Sequence, residues 1–364
     1  MQGMWIAVQP GSQQTHVLNR RNDDMPCTAF QYVCTNSSRH ASRRISAPGR
    51  LFSFLYFASM SHVPFDKEPL TLDEQVDQLK KRGMLIGDEV KARTCLSNIS
   101  YYRLSAYWYT FLKIPQSNHL FKPDTRFEQV MDTYVFDRKL KLLIFDEIER
   151  IEISIKTRLI QEFCETHGKL WYEDVSLYTK PFHHERFLKC VDDECSRTSE
   201  VFISHYRRKY GNDERPPAWM VFQLVSFGQL SKLFKNLRKG KEVRAVAAHY
   251  GINEQVLASW LESLAFVRNT CAHHARLWNR KLPKAPMLPT NPAYQWLRVV
   301  PGPGYANRLY VVLAAMRYLL QRFIPSTSFT TKLTALMEEY PNIPKHYMGF
   351  TPDWENEPLW KGDN

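Results

Sequence analysis

The chemistry legible in this chain is concentrated in fifteen residues, Phe266 to Arg280, which read FVRNTCAHHARLWNR. The stretch sets two His, three Arg and two Asn among apolar neighbours. Polar groups at that density on a helix need either solvent or a function. A neutral His can take the proton from a ribose 2′-hydroxyl, and a protonated His can give one to the departing 5′-oxygen. An Arg can hold the charge of the phosphorane between them. Arg268 and His273 are therefore the expected catalytic pair, with Asn269 orienting the imidazole or a phosphate oxygen. His274, Arg276 and Arg280 are the expected RNA contacts. This chemistry requires no metal, and neither metal nor cofactor is expected.

Helix geometry limits how these residues meet. At about 100° per residue, Asn269, His273, Arg276 and Arg280 share one face of a straight helix. Arg268 and His273 stand about 140° apart on it, so one regular helix does not let both grip one phosphate. Either the helix is distorted there, or two copies share the site. The second option predicts a homodimer with a composite cleft, in which two copies of His273 divide the acid and base roles. On residue chemistry alone such a segment is more often an ordinary surface helix than an active site, because an Arg and a His at this spacing recur by chance.

The elements that must position this segment read as helices. Thr71-Leu72-Asp73-Glu74 is a capping box, followed by Val76, Leu79 and a stop at Gly83. A second helix is expected over Asp88–Leu96, before the aromatic run Tyr101 to Tyr109. That run could stack on RNA bases or pack against the main domain, the second being favoured. Arg126 to His167 contains no Gly or Pro, and Phe136, Leu140, Ile144, Ile148, Ile151, Ile155 and Leu159 recur at helical spacing. Its Glu147, Glu149, Arg150, Glu152 and Lys156 read as a solvated face. Further helices are expected around His184–Lys209, over Trp219–Leu237, from Glu242 to Tyr250, from Asn253 to Arg280, and over Ala306–Phe323. Trp354 and Trp360 are expected to bring the C-terminal tail back onto the domain. With no strand-rich region, the fold class is all-α.

Composition bounds the rest. The 364 residues are 44% hydrophobic, enough for a substantial core, and carry a net charge of +12. Residues 1–59 hold six Arg against two Asp; the remainder holds 43 basic against 35 acidic side chains. A basic excess suits a polyanion such as RNA. The seven cysteines are odd in number and form no C-x-x-C, which points to reduced thiols in the cytoplasm. His183, His184, Cys190 and Cys195 match no common zinc spacing. No run reaches the ~20 apolar residues of a membrane span. The apolar run Leu51–Ala58 lies too far into the chain for a signal peptide. Residues 1–59, rich in Ser, Gln, Asn and Arg, read as a disordered tail or an over-extended start before Met60, the second being favoured. A helical region over 60–125, the main domain over 126–325 and a tail over 326–364 complete the expected organisation.

Several blocks together resemble the Abi family of bacterial abortive-infection proteins, the AbiD/AbiF-like group of the HEPN superfamily. Arg268-Asn269-Thr270-Cys271-Ala272-His273 is similar to the HEPN motif of an Arg and a His separated by four to six residues. Pro64-Phe65 through Gln75, and Lys81-Arg82-Gly83-Met84, resemble the family's opening. Tyr101-Tyr102-Arg103-Leu104-Ser105-Ala106-Tyr107-Trp108 resembles its YYRLSGYW block, with Ala106 where Gly is common. Phe136-Asp137-Arg138, Ser226-Phe227-Gly228-Gln229-Leu230-Ser231 and Met348-Gly349-Phe350 also match. The resemblance covers about residues 64–360 and implies an HEPN-like helical bundle with an N-terminal helical extension. It implies a metal-independent ribonuclease in phage defence, catalysed by Arg268 and His273, dimeric, and bound to a structured non-coding RNA. The alternatives are a module that holds such an RNA without cutting it, and a protein-interaction regulator.

Overall fold

The computed structural model describes residues 67–361 except Pro303. The N-terminal tail, Met60, the Leu51–Ala58 run and the Pro64-Phe65 element lie outside the described residues.

Among the described residues there are thirteen α-helices and no strand, only three isolated β-bridges. The fold is an all-α bundle. α1 (Leu72–Lys81) starts at the expected capping box: Thr71 Oγ1 accepts from Glu74 N, and Thr71 N donates to Glu74 Oε2 at 2.8 Å. α2 (Glu89–Ile99) is capped by Asp88, whose carboxylate accepts from Lys91 N. α3 (Tyr101–Trp108) buries Leu104, Tyr107 and Trp108, so that part of the aromatic run is packing, while Tyr102 and Tyr109 face solvent.

The axis of the bundle is α4 (Phe127–His167), one unbroken helix of 41 residues and so about 60 Å long. Its stripe of Phe136, Leu140, Ile144, Ile148, Ile151, Ile155 and Leu159 is fully buried. α5 (Pro181–Arg197) and α6 (Val201–Tyr210) follow. The helix expected over Trp219–Leu237 is two: α7 (Ala218–Leu224) and α8 (Phe227–Asn236). The break falls at Ser226, which opens a second capping box with Gln229 and so favours a fresh start over continuation.

α9 (Lys241–His249), α10 (Glu254–Ala272), α11 (Leu309–Phe323) and α12 (Phe329–Glu339) complete the bundle. α4 packs against α3, α7, α9, α10, α11 and α12. Because α12 lies along it, the charged face expected to be solvated is partly covered: Glu147 is only 1% exposed. Burial raises the pKa of the Glu147 carboxyl, with Arg150 and Lys332 opposing. Lys332 reaches it at 4.0 Å, and its Oε2 has no hydrogen-bond donor. Trp354 and Trp360 are buried, Trp360 Nε1 donating to Tyr310 Oη at 3.2 Å. Among the described residues no helix is long and apolar enough to cross a membrane.

Candidate functional site

The segment singled out from the sequence lies at the C-terminal end of α10, which stops at Ala272 rather than running on to Arg280. The stop is a Schellman closure. Ala275 N donates to Thr270 O at 3.0 Å and His274 N to Cys271 O at 3.0 Å. The residue that turns the chain is His274, with φ of +54°. Glycine usually takes this place, because a Cβ is strained in the left-handed region. His273 is the C-cap; its N–H still reaches Asn269 O at 3.0 Å. The common face expected for Asn269, His273, Arg276 and Arg280 therefore extends only to His273.

What holds the chain beyond the turn is Asp137 on α4, a fully buried carboxylate. Its Oδ1 accepts from Leu277 N at 2.9 Å and Trp278 N at 2.7 Å. Its Oδ2 accepts from Tyr107 Oη at 2.8 Å and pairs with Lys141 Nζ at 3.0 Å. Lys141 in turn reaches Ala275 O at 3.3 Å. Burial, reinforced by the adjoining carboxylate, drives the Tyr107 phenol far above its ordinary pKa. α3 adds two ties: Arg103 Nη2 donates to His274 O, and Arg276 Nη1 donates to Ala106 O. The end of α10 is thus clamped between α3 and α4.

Sequence reasoning missed this clamp. One signal was available: Asp137 and Lys141 occupy positions on the otherwise apolar stripe of α4, where a charge needs a partner.

The expected site residues separate into three settings. Arg268 and Asn269 are coupled, Arg268 Nη1 donating to Asn269 Oδ1 at 3.3 Å, and the guanidinium lies over the Phe145 ring at 5.7 Å. His273 and His274 are exposed at the helix end. No hydrogen bond joins His273 to Arg268 or Asn269 side chains among the described residues, so one copy does not assemble the pair. Arg276 is half-buried and spent on Ala106; burial, then the neighbouring Arg280, pulls its pKa below the ordinary value. Arg280 Nε donates to Arg276 O at 2.7 Å.

Beside the motif a cleft of about 450 Å³ opens between α3, α4 and the end of α10. Arg103, Arg138, Lys141 and His274 line it together with the apolar side chains of Leu142 and Phe145. Cys271 is also in its lining; burial, then Asp137, pushes the thiol up to about 12, which favours the protonated form. Such a cleft can receive a phosphate and a stacked or apolar group together.

Comparison with known proteins agrees with the resemblance at its coarser level. The family model described as Abi-like protein matches residues 94–279, just over half of the chain, including α3, α4, the clamp and the whole motif. No curated protein and no solved structure matches.

Proposed function

The chain belongs to the Abi-like protein family, of abortive-infection type, and from that premise we propose that it is a metal-independent HEPN endoribonuclease of phage defence. The observation that carries this reading is the end of α10. There His274 lines a cleft with Arg103, Arg138 and Lys141, Arg268 lies over the Phe145 ring of the same cleft, and neither His273 nor His274 has an acidic partner among the described residues. In the proposed reaction one His273 takes the proton from the 2′-hydroxyl, which attacks the adjacent phosphorus. A second gives a proton to the 5′-oxygen as the P–O bond breaks, leaving a 2′,3′-cyclic phosphate. Arg268 stabilises the phosphorane charge, and its hydrogen bond to Asn269 and contact with Phe145 pre-orient it. Arg138 and His274 hold the flanking phosphates, while Arg103, Lys141 and Arg276 serve the clamp.

Two histidines require two copies. Leu142 (61% exposed) and Phe145 (37%) stand exposed on α4, Phe145 under the Arg268 guanidinium, and Ile153 (57%) is exposed two turns further along. We assign these exposed apolar residues to a homodimer that faces two motifs across one composite cleft. A cytoplasmic site of action and a structured non-coding RNA as the bound partner belong to the same reading.

A second reading, an RNA-binding module that does not cut, is favoured by one observation: among the described residues no hydrogen bond joins the Arg268 and His273 side chains within a single copy. The deciding experiment incubates purified protein with structured and single-stranded RNA in EDTA, beside His273→Ala. The nuclease reading expects metal-independent cleavage that the substitution abolishes while binding persists. Tight binding by both proteins with cleavage by neither would leave the binding module.

A further inference from the structure

A second groove, of about 760 Å³, runs along the other side of α10, between α5 and α8. Its α10 wall is the stripe Glu262, Ala265, Phe266 and Asn269, residues three or four apart on one helical face. The next member of that stripe is His273, whose N–H still bonds Asn269 O. The groove therefore leads along the helix to the histidine at its end, about 12 Å from Ala265 at 1.5 Å per residue.

The charge of the groove is not balanced from within. Glu262 is the acidic residue among its lining, and Lys235 at 3.1 Å and Lys284 at 3.4 Å neutralise it. Arg186 and Lys232, on the facing helices α5 and α8, make no hydrogen bond or ion pair among the described residues. The Phe266 ring and the half-buried imidazole of His183 line the same groove. At the motif end, Asn269 Nδ2 sits 4.0 Å from where a Cβ on Gly228 would be. Asn269 Oδ1 is taken by Arg268, which leaves the Nδ2 hydrogens for an outside acceptor. Unpaired cations on two walls, aromatic rings in the lining and an amide at one end fit a polynucleotide single strand better than an acidic peptide, which offers no bases to stack.

We propose that this groove is a binding track for single-stranded RNA, in which Arg186 and Lys232 hold backbone phosphates upstream or downstream of the bond presented to His273. The proposal rests on the RNA-directed reading of the motif and adds to it a site remote from the reacting atoms. A strand in the track extends the footprint beyond the cleft at α3 and α4, so affinity depends on RNA length.

The test measures binding of a fluorescein-labelled, mixed-sequence 2′-O-methyl oligoribonucleotide, which cannot supply the attacking hydroxyl. The full chain is compared with Arg186→Ala/Lys232→Ala and with the charge-matched control Lys113→Ala/Lys209→Ala. All four positions are exposed, and melting curves confirm equal folding. The track variant is expected to bind about tenfold more weakly at low salt, with the slope of log K against log salt smaller by about 1.4, the loss of two single-strand phosphate contacts. The control stays within about twofold of wild type. Photo-crosslinks from 4-thiouridine in the strand are expected on α5 and α8. Unchanged affinity and slope in the track variant, with wild type still cutting RNA, would overturn the track and leave the nuclease reading standing. Weakened binding in that variant without any cleavage by wild type would support the track and sink the nuclease. Failure of wild type to bind the strand would overturn the track.

Discussion

Replacing Asp137 by Ala strips the clamp of its one buried anion, and the consequences can be worked out from its four partners. The Lys141 ammonium, itself buried, loses its counter-charge at 3.0 Å. Removing one member of a buried ion pair costs about 3–5 kcal/mol, because the other stays charged and desolvated. The amides of Leu277 and Trp278 and the Tyr107 hydroxyl also lose their acceptor. Each unsatisfied buried donor costs about 1–3 kcal/mol unless water enters. The total, about 5 kcal/mol or more, compares with the roughly 5–15 kcal/mol that keeps a domain folded. A fall in melting temperature of roughly 10 °C or more is expected at about 2–4 °C per kcal/mol. Thermal and urea unfolding followed by circular dichroism measures it. Asp137→Ala/Lys141→Met removes both charges and is expected to melt above Asp137→Ala alone, because no orphaned ammonium remains. Asp137→Asn keeps one carbonyl oxygen for the two amides but still leaves the Lys141 ammonium without its counter-charge, so it is expected to melt between Asp137→Ala and wild type. An Asp137→Ala protein within about 1 kcal/mol of wild type, or a double variant less stable than the single one, would refute the account of the clamp.

Glu147 supplies a prediction of opposite sign. Its raised carboxyl pKa means the folded state binds the proton more readily than the unfolded chain does. The resulting penalty is absent below the ordinary carboxylate range and grows as pH rises through the raised value. Glu147→Gln is therefore expected to melt above wild type at pH 7.5 and level with it at acid pH; a lower melting point at both would count against the burial argument. For the proposed dimer, Leu142→Asp places a charge among the exposed apolar residues of α4 and is expected to shift sedimentation from dimer toward monomer, with cleavage lost and the melting point nearly kept. A fully active monomer would remove the composite cleft.

Much of the scaffold was legible from periodicity and capping. The α4 stripe from Phe136 to Leu159 and the Thr71 box appear where the sequence places them, because both are local signals. The division of Trp219–Leu237 was legible too, in the S-x-x-Q spacing of Ser226 and Gln229, but an apolar stripe across the break masked it. The end of α10 was less so. Between Asn253 and Lys281 no Pro occurs and no Gly, and the turn is made by a histidine in a conformation that glycine usually takes. The composition of the candidate site stood out in the sequence, whereas its arrangement did not. Arg276 looks like an RNA contact by type, yet a carbonyl on α3, 170 residues earlier, claims it. Asp137 reads as one more helix charge until the amides of Leu277 and Trp278, 140 and 141 residues downstream, are brought to it. Such pairings belong to tertiary structure, and no local pattern encodes them.

The clamp also imposes an order on synthesis. Asp137 and Tyr107 emerge from the ribosome well before the segment they hold, and at about 5–20 residues per second the wait for Trp278 lasts roughly 7–28 s. During that interval the long helix carries a carboxylate with two of its bonds unmade. The Arg268–His273 segment, once translated, has no fixed turn until four or five further residues follow. A nascent chain halted just past His273 thus contains the whole motif and lacks the means to shape it. Until Leu277 and Trp278 reach Asp137, the turn at His274 that ends the motif's helix lacks its anchor on α4.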